Sequence, residues 1–184
     1  MKVIKNPLSP GAVIRTHPRR GYWGCAIVLT APDGTSDSLP CCHIAITTLI
    51  RRRKYSWASV PPSELQIVSL TPNIRVSPND YRPAPAARTC IGIYSLKRTD
   101  SLDIIGEVDP SDIYAHPLTS EVGDGTADEY PVCGPITDRL GWEAVVAWRE
   151  NNDREKLERE RDESRARFEE FERKRLAAGR AKRR

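Results

Sequence analysis

The clearest hydrophobic pattern lies near the start of the chain. Pro10-Gly11-Ala12-Val13-Ile14-Arg15 leads through a short polar turn into Gly21-Tyr22-Trp23-Gly24-Cys25-Ala26-Ile27-Val28-Leu29. Short apolar runs bounded by turn residues and rich in β-branched side chains predict buried strands. Strand one is expected over about 12–15 and strand two over about 22–30, joined through His17-Pro18-Arg19-Arg20 as an antiparallel hairpin. Pro32-Asp33-Gly34 then signals a turn. A third strand is expected over His43–Ile50, with Ile44, Ile46, Thr48 and Ile50 on one face and Ala45, Thr47 and Leu49 on the other. Trp23, Ile27, Ile46, Ile91 and Ile93 form the expected core cluster, with Trp23 as its large aromatic.

Beyond Pro61-Pro62-Ser63 the pattern weakens. A weak strand is expected over 64–70. Four prolines between Thr71 and Ala87 (Pro72, Pro78, Pro83 and Pro85) predict a surface loop. Strands follow at Thr89–Leu96 and Asp103–Val108, the latter ended by Asp109-Pro110-Ser111. Residues 101–135 then hold an acidic loop. Trp142-Glu143-Ala144-Val145-Val146-Ala147-Trp148 fits two periods. Alternation puts Trp142, Ala144, Val146 and Trp148 on one face, whereas helical spacing groups Leu140, Ala144, Ala147 and Trp148. The preceding Gly141 with the Trp and Val content favours a last strand.

From Asp153 to about Ala178 the chain is almost entirely Glu, Arg, Lys and Ala. Asn151-Asn152-Asp153 predicts the helix start, with Glu155 as the capping-box partner of Asn152. Such a helix is a rod of ~39 Å. Glu155–Arg159, Glu163–Arg167, Glu169–Arg173 and Glu170–Lys174 are supporting i,i+4 pairs. Leu157, Phe168, Phe171 and Leu176 are too few for a long coiled-coil seam, although Phe168 and Phe171 suit a short contact. The expected class is therefore α+β: a β-rich SH3-like barrel or curved antiparallel sheet over 1–150, then a long charged helix and basic tail over 151–184.

Composition narrows the function classes. The chain has 184 residues, with 15 prolines and 11 glycines, which suits a turn-rich β domain with an appendage. No apolar stretch approaches the length of a membrane span, and the N-terminus does not resemble a secretory signal, so a cytoplasmic protein without membrane association is expected. The five cysteines are odd in number and include no Cys-x-x-Cys. They read as buried thiols. Cys41-Cys42-His43 lacks the second pair that a zinc site needs, so no metal and no cofactor is expected. The acidic loop lacks the regular oxygen spacing of a calcium loop.

Charge is unevenly distributed along the chain. Residues 1–100 carry 14 Lys and Arg against 5 Asp and Glu; residues 101–148 carry 1 against 10; residues 149–184 carry 14 against 10. In the basic part, Arg51-Arg52-Arg53-Lys54 runs into Tyr55 and Trp57. Cations interleaved with aromatics suit phosphate contact and base stacking, and a solvated strand end with its aromatics folded onto the core is the alternative. In the acidic part, Asp124, Asp128 and Glu129 can present carboxylates to a basic cleft, with Tyr130 as an anchor. No P-loop, Gly-x-Ser-x-Gly or His-Glu-x-x-His occurs, and no catalytic residue is assigned.

Two resemblances carry expectations. Pro10–Ile14, Trp23–Leu29 and Ile44–Thr48 resemble the opening of the PemK/MazF ribonuclease toxins, which are small SH3-like barrels. That likeness implies a loop arginine (Arg19 or Arg20) and a strand threonine (Thr47 or Thr48) as the chemical pair. This chain has Gly24-Cys25 where that family carries Arg-Pro. Over a longer span, Pro10–Leu29, Ile104-Ile105-Gly106-Glu107-Val108 and Cys133–Leu157 resemble the bacterial immunity protein 26 family. That resemblance implies a non-enzymatic cytoplasmic protein that neutralises a cognate polymorphic toxin by binding it.

Overall fold

The computed structural model describes residues 8–31, 40–71, 73–77, 80–83, 87–95, 101–116, 118 and 132–181. Ten strands and three helices are present among them: β1 (Ala12–Arg19), β2 (Tyr22–Val28), β3 (Cys41–Arg51), β4 (Ser69–Leu70), β5 (Asn73–Ser77), β6 (Asp80–Pro83), β7 (Arg88–Thr89), β8 (Ile91–Ser95), β9 (Asp103–Glu107), α1 (Pro110–Ile113), β10 (Val132–Pro135), α2 (Trp142–Asn152) and α3 (Arg154–Ala181). Six strands form one sheet in the order β10-β8-β3-β2-β1-β9. Every pairing in it is antiparallel except β10 with β8. The chain divides into two compact units, Met1–Ala147 and Trp148–Arg184.

In the first unit the sheet is buried on both faces. One face gathers Val13, Cys25, Ile27, Leu29, Ala45, Leu49 and Ile91 with Leu65 into the main cluster. Trp57, Tyr55, Ile105 and Tyr114 pack against its margin. The opposite face carries Ile14, Ala26, Ile44 and Ile46, all nearly inaccessible to water. Each fully buried side chain of this size contributes ~1.5–3 kcal/mol relative to leaving it exposed. Ile27 and Ile91 therefore share a cluster as the pattern predicts, whereas Ile46 lies on the other face. Trp23 is a correction. It sits half-buried at the end of the sheet, opposite Arg51 and stacked on His17 at 4.4 Å.

The first hairpin is longer than its hydrophobic run. β1 continues through His17 and Pro18 to Arg19, which pairs with Tyr22, so the turn is Arg20-Gly21. The register shifts between Thr16 and Arg19, which accommodates a proline that cannot donate to the ladder. The stretch over 64–70 is mostly irregular: a 3-10 turn at Pro62–Glu64, a single bridge of Ile67 to Thr47, then β4. The expected loop over 71–87 contains the β5–β6 hairpin. Pro83 stands at a strand end, where the missing N–H costs least.

The expected last strand over 142–148 is a helix. Gly141 takes a left-handed φ of +96° that other residues avoid, and its carbonyl accepts from the Val145 N–H at 3.2 Å. The buried positions Gly141, Ala144, Val145 and Arg149 follow helical spacing. A polar residue at one of them hid that period. Trp142 is 43% exposed.

In the second unit, α3 starts at Arg154, close to its expected place, but Asn152 does not cap it. Asn152 belongs to α2, and its side-chain amide donates to the Trp148 carbonyl at 2.8 Å. Arg149 pairs with Glu160 at 2.9 Å and Arg161 with Glu150 at 2.8 Å. Residues eleven apart stand ~16 Å apart along a straight helix, so the chain bends at Asp153. Of the four expected i,i+4 pairs, Glu170–Lys174 closes at 2.7 Å. Arg167 and Arg173 instead donate to the backbone carbonyls of Glu163 and Glu169.

Candidate functional site

The chemistry of the described residues concentrates at one end of the sheet, where β1 ends, β2 begins and β3 leaves. Arg19 pairs with Tyr22 across the turn, and Trp23 pairs with Arg51. This register collects the cations of the hairpin tip and those after β3 in one place. The Arg52 guanidinium lies over the Tyr22 ring at 4.3 Å, Lys54 Nζ over Trp23 at 5.6 Å, and Arg19 over Trp142 at 5.5 Å. Cation–π contacts of this kind contribute ~0.5–1 kcal/mol at exposed sites. Their larger effect here is to hold long side chains in place. Arg20 and Arg53 are exposed and have no partner among the described residues.

Asp103 and Glu64 reach these cations. Asp103 at the start of β9 accepts from Arg15 Nε at 3.0 Å and Nη2 at 2.6 Å, and Lys54 approaches it at 3.4 Å. Burial pushes the Asp103 carboxyl up, but hydrogen bonding and charge from Arg15 and then Lys54 outweigh it and hold it below the ordinary carboxylate value. Arg15 also donates through Nη1 to the Tyr55 carbonyl. Glu64 pairs with Arg51 at 2.5 Å.

The aromatics of the 51–57 stretch turn inward. The Tyr55 hydroxyl donates to the Gly24 carbonyl at 2.7 Å, and burial raises the value at which it would ionise. Trp57 lies flat on Gly106 of β9; a Cβ there would stand 2.6 Å from the indole. That glycine makes room for the ring. So the sheet end brings Arg51, Arg52, Arg53, Lys54, Tyr55 and Trp57 together, with the cations outward and these two rings packed on the core. His17, Tyr22 and Trp142 join them without having been singled out. The adjacency Arg19-Arg20-Gly21-Tyr22-Trp23 was the available signal for Tyr22, whereas Trp142 arrives from a distant helix. The acidic candidates Asp124, Asp128, Glu129 and Tyr130 lie outside the described residues.

Most of the remaining chemical groups are buried, and Thr48 is exposed. Thr47 is fully buried, and its hydroxyl donates to the Cys25 carbonyl at 3.0 Å. Thr48 donates to the Glu64 carbonyl at 3.3 Å. Burial pushes the thiols of Cys25 and Cys42 up to about 12, which leaves them protonated and unreactive at neutral pH. His43 is buried with Nδ1 3.2 Å from the Thr30 hydroxyl. Among the described residues no group of three or more His, Cys, Asp or Glu could hold a metal ion, and no helix is long and apolar enough to cross a membrane. Compared with protein-family models, curated proteins and solved structures, the chain matches none.

Proposed function

We propose that the protein is a non-enzymatic inhibitor of the immunity protein 26 kind, which works in the cytoplasm by binding and neutralising a cognate toxin. One observation carries the reading: of the side chains a PemK-like ribonuclease would use, Thr47 and Arg19 are committed to packing, while Arg20 and Thr48 are exposed. Thr47 gives its hydroxyl proton to a backbone carbonyl inside the core, and Arg19 rests on Trp142. A general base or nucleophile must reach its substrate within hydrogen-bond distance, and a core threonine is closed to one. The sheet is then a scaffold that presents surface. In this reading it curls as an SH3-like barrel. The register shifts at Val13/Ile14, Thr16/Arg19 and Gly24/Ala26 support that shape, since bulges increase local twist and bend strands.

The acidic block is the toxin-facing part in this reading. Asp124, Asp128 and Glu129 would occupy a basic cleft, with Tyr130 anchoring the contact and setting the off-rate. The test is co-purification with the product of the neighbouring gene, followed by association kinetics for the Asp124→Ala/Asp128→Ala/Glu129→Ala variant. The expected result is a complex whose on-rate falls in the variant and falls with salt. An unchanged on-rate removes the acidic loop from the interface, and failure to recover a complex removes the inhibitor reading.

A further inference from the structure

We propose that the basic end of the sheet binds the phosphate backbone of nucleic acid without reading its bases. This goes beyond the inhibitor reading and stands without it. Five cations meet there: Arg19 and Arg20 at the hairpin tip, and Arg52, Arg53 and Lys54 after β3. Three are braced on aromatic rings and two are unpartnered among the described residues. A cation already held by a ring loses less side-chain freedom when it takes an anion. The guanidinium fork also matches a phosphate bidentately. Arg20 and Arg53 have no carboxylate partner among the described residues. Glu64 is taken by Arg51, and Asp103 is shared by Arg15 and Lys54. Asp138, whose carbonyl accepts from the His17 N–H at 2.6 Å, comes with Arg139 beside it.

The state of the rings decides the kind of ligand. Binders of single strands offer open rings on which bases stack. Here Trp23 carries His17 and Lys54, Tyr22 is buried beneath Arg52, Trp142, though 43% exposed, carries Arg19, and Tyr55 and Trp57 pack on the core. An acidic protein partner would need an apolar anchor at the centre of its interface, and the same rings are engaged within this chain. What remains is fixed positive charge, which gains by releasing the counterions condensed on a phosphate backbone.

Fluorescence anisotropy with labelled oligodeoxythymidylate over a salt series tests this in the full chain. Each phosphate contact adds ~0.7 to the slope of log affinity against log salt, so Arg20→Ser/Arg53→Ser should lower that slope by about 1.4. Arg20→Lys/Arg53→Lys should restore it, which separates lost charge from lost fold. An oligonucleotide of abasic sites with equal charge should bind within about twofold, because no base is stacked. An unchanged slope in the serine variant would mean that the basic tail over 173–184 binds instead, and would overturn the proposal. So would loss of about tenfold or more with the abasic probe, the mark of base stacking. Polyglutamate that displaces the oligonucleotide charge for charge would overturn it in favour of an acidic protein ligand.

Discussion

The end of the sheet and helix α3 are both rich in arginine and lysine, and they treat those cations in opposite ways. On α3, Arg154 pairs with Glu158, Arg165 with Asp162, Lys174 with Glu170 and Arg175 with Glu172, each three or four residues away and mostly in solvent. Sequence spacing alone arranges this, and the result is local neutrality. At the sheet end, Arg52, Lys54 and Arg19 rest on rings brought by the tertiary fold. A ring holds a cation without neutralising it; Lys54 also shares Asp103 with Arg15, whereas Arg20 and Arg53 have no carboxylate partner among the described residues. A count of arginines therefore says little about an anion site until it is known what each one lies against.

Substitutions can break this contrast, and the largest effect belongs to the scaffold beneath the sheet end. Ile27→Ala, at a fully buried core position, should cost ~2–5 kcal/mol by chemical denaturation. Phe168→Ala and Phe171→Ala, at positions 64% and 61% exposed, should each stay within ~0.5 kcal/mol. A large loss at either phenylalanine would show that α3 is packed in solution.

A smaller effect is expected at Gly106→Ala. The new methyl would meet the Trp57 ring, and overpacking of this kind costs ~1–3 kcal/mol. The check is a lowered melting temperature together with a shifted tryptophan emission. A melting temperature equal to wild type would mean that Trp57 is not seated on β9.

Acid titration sharpens the comparison further. The folded-state value of Asp103 is depressed, so its pairing contributes stability above the unfolded carboxylate value, and that stability is lost as pH falls through the folded one. Asp103→Asn should therefore remove part of the acid limb of the stability profile and narrow the gap to wild type at low pH. Glu170→Gln on α3 should leave that limb nearly unchanged and cost only ~0.3–0.5 kcal/mol, typical of an exposed helical pair.

Where the sequence could be read and where it could not follows the same division. The β1–β2 hairpin and β3 were legible because their apolar runs are unbroken, and α3 because its charge spacing is local. Arg51–Lys54 was legible as a basic run for the same reason. The inward turn of Tyr55 and Trp57 was one of two readings the run allowed, and Gly24 and Gly106 in distant strands decide it. The Arg15–Asp103 pair joins residues 88 apart with no local sign. Helix α2 imitated a strand because Trp and Val alternate across it, and Arg149 occupies one of its buried positions. The β5–β6 hairpin was hidden by the four prolines between Thr71 and Ala87, of which Pro83 closes β6.

The most direct test of the account is a growth assay in which this chain is expressed alone and together with the product of the neighbouring gene. The account predicts no growth arrest from this chain alone, and rescue of cells from arrest caused by that product. Arrest by this chain alone that disappears in Arg19→Ala or Thr47→Ala would contradict it, because a buried threonine and a ring-bound arginine would then be the parts of a working ribonuclease.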